Sequence, residues 1–161
     1  MSETATPPVE SHSEEPALWK GGVVAGIAGA AVMAVLVSLM NPPTLAVAIP
    51  ALYGLAPPAN GVAGWAVHLS HGAVFGVIFA ALARTDALHA VREDVVRSVA
   101  VGAVYGVAIW VVAAALLMPL WLAAVGFPNA PPFPNFAVPS LLWHVVFGVV
   151  LGGAFPPLAD L

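Results

Sequence analysis

The chain has 161 residues, 61% of them hydrophobic and only 7% charged, with a mean hydropathy of +0.98. A soluble domain carries about 25% charged residues, so water is excluded as the solvent for most of this chain, and the apolar stretches leave no length for a separate soluble domain. The net charge of -4 excludes a basic surface for nucleic acid, and the absence of cysteine excludes disulfides, thiolate metal sites and thiol nucleophiles.

Residues 1–16 are rich in Glu, Ser, Thr and Pro, with one His12. Such a segment buries too little apolar surface to offset its ordering entropy and reads as a disordered acidic tail. Glu3, Glu10, Glu14 and Glu15 precede the first apolar run and no cationic start exists, so the run does not read as a cleaved secretory signal.

From residue 17 to 161 the sequence predicts a single all-α transmembrane domain of four helices: Ala17 to Met40, Gly61 to Ala83, Arg97 to Pro119, and Ala137 to Phe155. Crossing the roughly 30 Å hydrocarbon core takes about 20 apolar residues. These segments also lack the polar stripe of a soluble amphipathic helix. The connections differ in kind: Arg84 to Val96 is charged, whereas Asn41 to Asn60 and Leu120 to Phe136 carry no charge and are rich in proline and aromatics. The uncharged pair is expected to lie on the outer membrane interface.

Lys20, Arg84, Arg92 and Arg97 are all the cationic residues, and with four spans they fall on one side. The positive-inside rule therefore puts both termini and the Arg84 to Val96 connection in the cytoplasm, in a multi-pass protein of the cell membrane.

An ungapped shift of 76 residues superposes the two halves, pairing Gly26 with Gly102, Pro43 with Pro119, Pro58 with Pro134, His68 with His144, Gly72 with Gly148, Gly76 with Gly152 and Phe79 with Phe155. The expectation is two tandem helical hairpins, approximately 17–83 and 97–158, related by a pseudo-two-fold axis along the membrane normal. Each helix carries glycines four apart: Gly22 and Gly26, Gly72 and Gly76, Gly102 and Gly106, Gly148 and Gly152. Glycines at this spacing let helix backbones approach closely. Packing within the monomer is the simplest use of them, and a homodimer face is the other.

His68, His71 and His144 are, apart from Tyr105, the titratable side chains well inside the spans. Polar groups at such depth are costly and usually face the bundle interior. His68 and His144 lie at similar depth on parallel helices, about 7 residues from the outer ends, and His71 is on nearly the same face as His68. Three uses compete. The imidazoles can act as interhelical glue, bonding one another, Ser70, Ser140 or carbonyls. They can hold a metal ion or a b-type haem, with Gly72 and Gly148 leaving room for a macrocycle, although no carboxylate is placed to orient them and no deep Arg meets propionates. They can relay protons or ions. His89, beside Arg92 and Glu93, reads as a solvated surface residue. No Gly-x-Ser-x-Gly, phosphate loop or paired intramembrane carboxylate exists, so hydrolytic and phosphoryl-transfer chemistry has no candidates.

Trp65-Ala66-Val67-His68 with Phe75-Gly76-Val77-Ile78-Phe79, a glycine-containing third helix ending Leu117-Met118-Pro119, and Leu142-Trp143-His144 together resemble the small multi-span membrane proteins of the YagU type, over roughly Gly61 to Phe155. The acidic tail resembles those of proteins from salt-loving archaea. The resemblance implies a membrane protein linked to acid or stress response, with no activity to carry over. Two functions remain open: a small scaffold or accessory subunit of a membrane complex whose histidines hold helices together, and a cofactor- or ion-handling protein that uses His68 and His144.

Overall fold

The computed structural model describes residues 17–161; the expected disordered tail, with His12, lies outside the described residues. The long elements are α1 (Leu18–Met40), α2 (Gly61–Leu82), α3 (Val95–Ala124) and α4 (Val138–Ala154). By length and composition α1, α2 and α3 can each cross a membrane. With 17 residues α4 is shorter, about 25 Å at 1.5 Å per residue. Pro139 in its first turn and the Pro156–Leu158 3₁₀ turn behind Phe155 confine it.

The helices begin where local chemistry allows. Asn60 caps α2, its Oδ1 accepting from Ala63 N at 3.0 Å. Asp94 caps α3, accepting from Val96 N and Arg97 N at 2.9 and 3.1 Å. Each side chain satisfies backbone donors that the first turn leaves unpaired.

The expectation that the third helix stops at Pro119 is corrected: α3 continues to Ala124. Trp110–Leu117 is wound as a π-helix just before Pro119. Proline has no N–H and its ring collides with the carbonyl four residues back; the wider π turn removes that demand. The same device recurs at Thr44–Ala48, immediately before the Ile49–Ala51 turn that contains Pro50. The Asn41 to Asn60 connection does not simply lie along an interface. Its helical part folds inward, burying Leu45, Ile49, Pro50 and Ala51, with the Leu45 carbonyl against Gly64 and Asn60 N donating to Ala46 O at 2.7 Å.

Two close crossings organise the bundle, α1 with α2 and α3 with α4. A Cβ on Gly26 would meet the Gly72 carbonyl and one on Gly76 the Gly22 carbonyl. In the second pair, Gly102 and Gly148 meet each other's carbonyls, Gly152 meets the Ser98 carbonyl and Gly106 the His144 carbonyl. All eight glycines of the spaced pairs thus face a partner helix inside the chain. Phe79 and Phe155, equivalent under the 76-residue shift, touch edge to face with centroids 5.3 Å apart and are almost wholly buried.

The interfaces between the two helix pairs are unequal. α1 comes close to α4, where Gly29 lies against Phe147, and to the 3₁₀ turn behind α4, where Gly21 lies against the Leu158 carbonyl. The shift places Arg97 and Tyr105 at the equivalent positions of α3. Tyr105 stacks on Phe79 at 5.3 Å and donates to Phe75 O at 2.8 Å. A phenol where the other half has hydrogen holds α2 and α3 apart, and their backbones make no comparably close approach. The aromatic wedge seals the seam at the charged end and leaves it open towards the proline-rich end.

Candidate functional site: a cavity lined by three histidines

Beyond the Tyr105 wedge the helices line a partly open cavity of about 840 Å³. Its walls come from α1, α2, α3 and α4, and its roof from the Thr44–Leu52 region and from chain between Asn129 and Ser140. His68, His71 and His144 all line it.

His68 projects from the face that carries Gly64, Gly72 and Gly76, all multiples of four residues away, so the close crossing with α1 buries it. The side chain is 7% exposed, and its Nε2 has no hydrogen-bond partner among the described residues. Leaving a buried polar nitrogen unpaired costs about 1–3 kcal/mol. His71 sits at the edge of that face and is less buried; its Nε2 is 2.7 Å from Tyr53 Oη. Tyr53 also stacks on Trp121 of α3 with centroids 5.5 Å apart. His144 is held by its own helix: Nδ1 lies 2.6 Å from the Ser140 carbonyl. A carbonyl can only accept, so Nδ1 carries the hydrogen and Nε2 of the neutral ring is an acceptor.

The serines expected as partners behave differently. Ser70 is exposed and bonds the Ala66 carbonyl of its own helix at 2.7 Å. Ser140 donates to the Ala137 carbonyl and accepts from Trp110 Nε1 at 2.9 Å, so only its backbone serves His144. His89 is exposed in the 3₁₀ turn Asp86–Arg92.

The lining repeats with the internal shift. Met33 and Ile109, Val37 and Ala113, His68 and His144, Tyr53 and Asn129 are equivalent pairs, and every member lines the cavity. Tyr53 was readable from the sequence only as an interfacial aromatic. The inward fold of its segment turns it to His71, and no local pattern announces that. Trp143, beside His144, is buried against the cavity with Nε1 3.1 Å from Met40 Sδ.

Among the described residues no group of three or more His, Asp or Glu side chains is placed to hold a metal ion. The three imidazoles share a cavity without forming a ligand set. Among the described residues no Lys, Arg, Asp or Glu lines it, so no cation is placed there for haem propionates. Tyr53 and His71 form a hydrogen-bonded pair of titratable groups on the cavity wall. The chain matches no protein-family model, no curated protein and no solved structure in comparisons with all three.

Proposed function

We propose that the chain is a multi-pass protein of the cell membrane that works by holding a small molecule in its histidine-lined cavity, without catalysing a reaction. The observation that carries this reading is His68, a buried imidazole with an unpaired nitrogen on the wall of a cavity of about 840 Å³. Ligand pockets measure about 300–1,000 Å³ and are mostly apolar with a few placed polar groups, a description this cavity fits. His71 and His144 each spend a ring nitrogen within the bundle, and His68 spends one on the Ala30 carbonyl of α1, but its Nε2 is left over. The three bonded nitrogens suit a scaffold; the unpaired Nε2 of His68 is what a scaffold leaves without a use.

The same proposal includes the architecture of four spans in two tandem hairpins. The repeated glycine crossings, the Phe79–Phe155 contact and the equivalent residue pairs around the cavity support it. Likeness to the YagU type belongs to this reading too, and two of the motifs it rests on, Trp65-Ala66-Val67-His68 and Leu142-Trp143-His144, carry cavity histidines.

Native mass spectrometry of the intact protein, released from gently solubilised membranes, tests the binding reading. A bound mass is expected on wild type and should be lost in Ala113→Trp, which fills the space from α3. An unliganded wild type would favour the scaffold. The orientation has its own test. Ala59 and Ala87 are both exposed, in the proline-rich and charged connections respectively. In intact cells a membrane-impermeant thiol reagent should label Ala59→Cys and spare Ala87→Cys; labelling of Ala87→Cys would overturn the assignment of both termini to the cytoplasm.

A further inference from the structure

The chemistry of the lining narrows what the cavity takes, on the premise that it binds a ligand at all. A carboxylate or phosphate head would enter without a counter-charge, since no Lys or Arg lines the walls, and burying an unpaired charge is prohibitive. A cationic head would meet no carboxylate. A pure hydrocarbon would fill the apolar part and leave Nε2 of His68 as unpaired as before. The remaining class is a neutral molecule with an apolar body and one oxygen able to hydrogen-bond.

The route follows from the unequal interfaces. On the α2–α3 seam, which Tyr105 wedges apart, Val74 and Leu117 line the cavity and are also 57% and 49% exposed. The cavity therefore reaches the flank of the bundle, the side that faces lipid when these helices span a bilayer. Tyr53 bridges the seam, bonded to His71 of α2 and stacked on Trp121 of α3.

We infer that the cavity takes a neutral amphiphile from the membrane itself, through the α2–α3 seam beneath Tyr53, its head hydroxyl donating to Nε2 of His68 and its hydrocarbon body lying along Val37, Phe75, Ile109 and Ala113. The ring's other nitrogen donates to the Ala30 carbonyl, so Nε2 of the neutral imidazole is an acceptor and the head that suits it is a donor, a hydroxyl rather than a ketone or quinone.

Photolabelling of the full-length protein in lipid nanodiscs tests this with three probes of one chain length: hexadecanol, hexadecanoic acid and hexadecane, each with a mid-chain diazirine. Hexadecanol should label saturably, with cross-links on the cavity faces of α2 and α3, while the acid and the hydrocarbon label only in proportion to their concentration. His68→Leu should weaken the apparent affinity for hexadecanol about tenfold, the effect of one buried polar partner, and His68→Gln should restore part of it. Displacement by unlabelled phytol would support the hydroxyl head, and displacement by a prenylated quinone but not by phytol would overturn it. Saturable labelling by the acid, or saturable hexadecanol labelling that His68→Leu leaves unchanged, would overturn it while leaving a binding cavity in place. Absence of saturable labelling by all three probes would remove the binding reading and this inference together.

Discussion

Gly26→Leu and Gly102→Leu should each cost about 3 kcal/mol or more, or prevent accumulation of folded protein altogether. Overpacking a tight interior typically costs about 1–3 kcal/mol, occasionally more, when side chains can shift to absorb the added bulk. Here the obstacles are backbone. A Cβ at Gly26 meets the Gly72 carbonyl and lies 2.9 Å from Gly76 Cα, and one at Gly102 meets the Gly148 carbonyl and lies 3.0 Å from Gly152 Cα. The helices themselves must part, and in a bilayer the added leucine brings no compensating gain, because lipid tails are as apolar as leucine. Gly153 is the control: a Cβ there finds only Val99 Cγ2 at 3.5 Å, an ordinary contact. Gly153→Ala should therefore be neutral or stabilising by up to about 1 kcal/mol, the helix-propensity gain. Thermal unfolding of the purified variants in one detergent measures the series. Wild-type stability in both leucine variants would mean that these faces do not cross.

The long helices were legible because their cause is local. Unbroken apolar runs set α1 at Leu18–Met40 against an expected start one residue earlier, and α2 at Gly61–Leu82 against an expected end one residue later. Asn60 and Asp94 are recognisable caps once the runs are drawn. The glycine spacing pointed to close crossings, although which helix lay opposite depended on the internal shift. What escaped the reading depends on tertiary context. A proline looks like a stop unless a π turn precedes it, and nothing in Trp110–Leu117 advertises that winding. The 76-residue shift emphasised what the halves share, whereas the shape of the site comes from where they differ: Gly29 admits Phe147, and Tyr105 at the matching position holds a seam open. His68 stood out as a buried polar residue from its sequence alone. That its Nε2 lacks a partner is a fact of packing, as is the turning of Tyr53 towards His71.

For His68→Leu the expected result is a protein more stable than wild type when both are empty. Replacing the ring with an apolar side chain of similar size removes the desolvation cost of the unpaired Nε2, worth about 1–3 kcal/mol, against the loss of the bond to the Ala30 carbonyl, worth about 1 kcal/mol. His144→Leu should do the opposite, because it deletes the ring that bonds the Ser140 carbonyl. A ligand that binds the folded state adds stability as its concentration rises, about 2.7 kcal/mol at 100 times its dissociation constant. Wild type should show that gain and the leucine variant should lose most of it. A residue that lowers the stability of the empty protein and raises that of the liganded one is placed for binding. The direct measurement is therefore thermal unfolding of wild type and His68→Leu, each stripped of lipid by exhaustive detergent exchange and then titrated with hexadecanol. The account predicts that the stripped variant unfolds at a higher temperature than stripped wild type, and that only wild type gains further on addition of the alcohol. A stripped variant destabilised by about 2 kcal/mol or more, with equal responses to hexadecanol, would contradict it and make His68 a structural hydrogen-bonding residue.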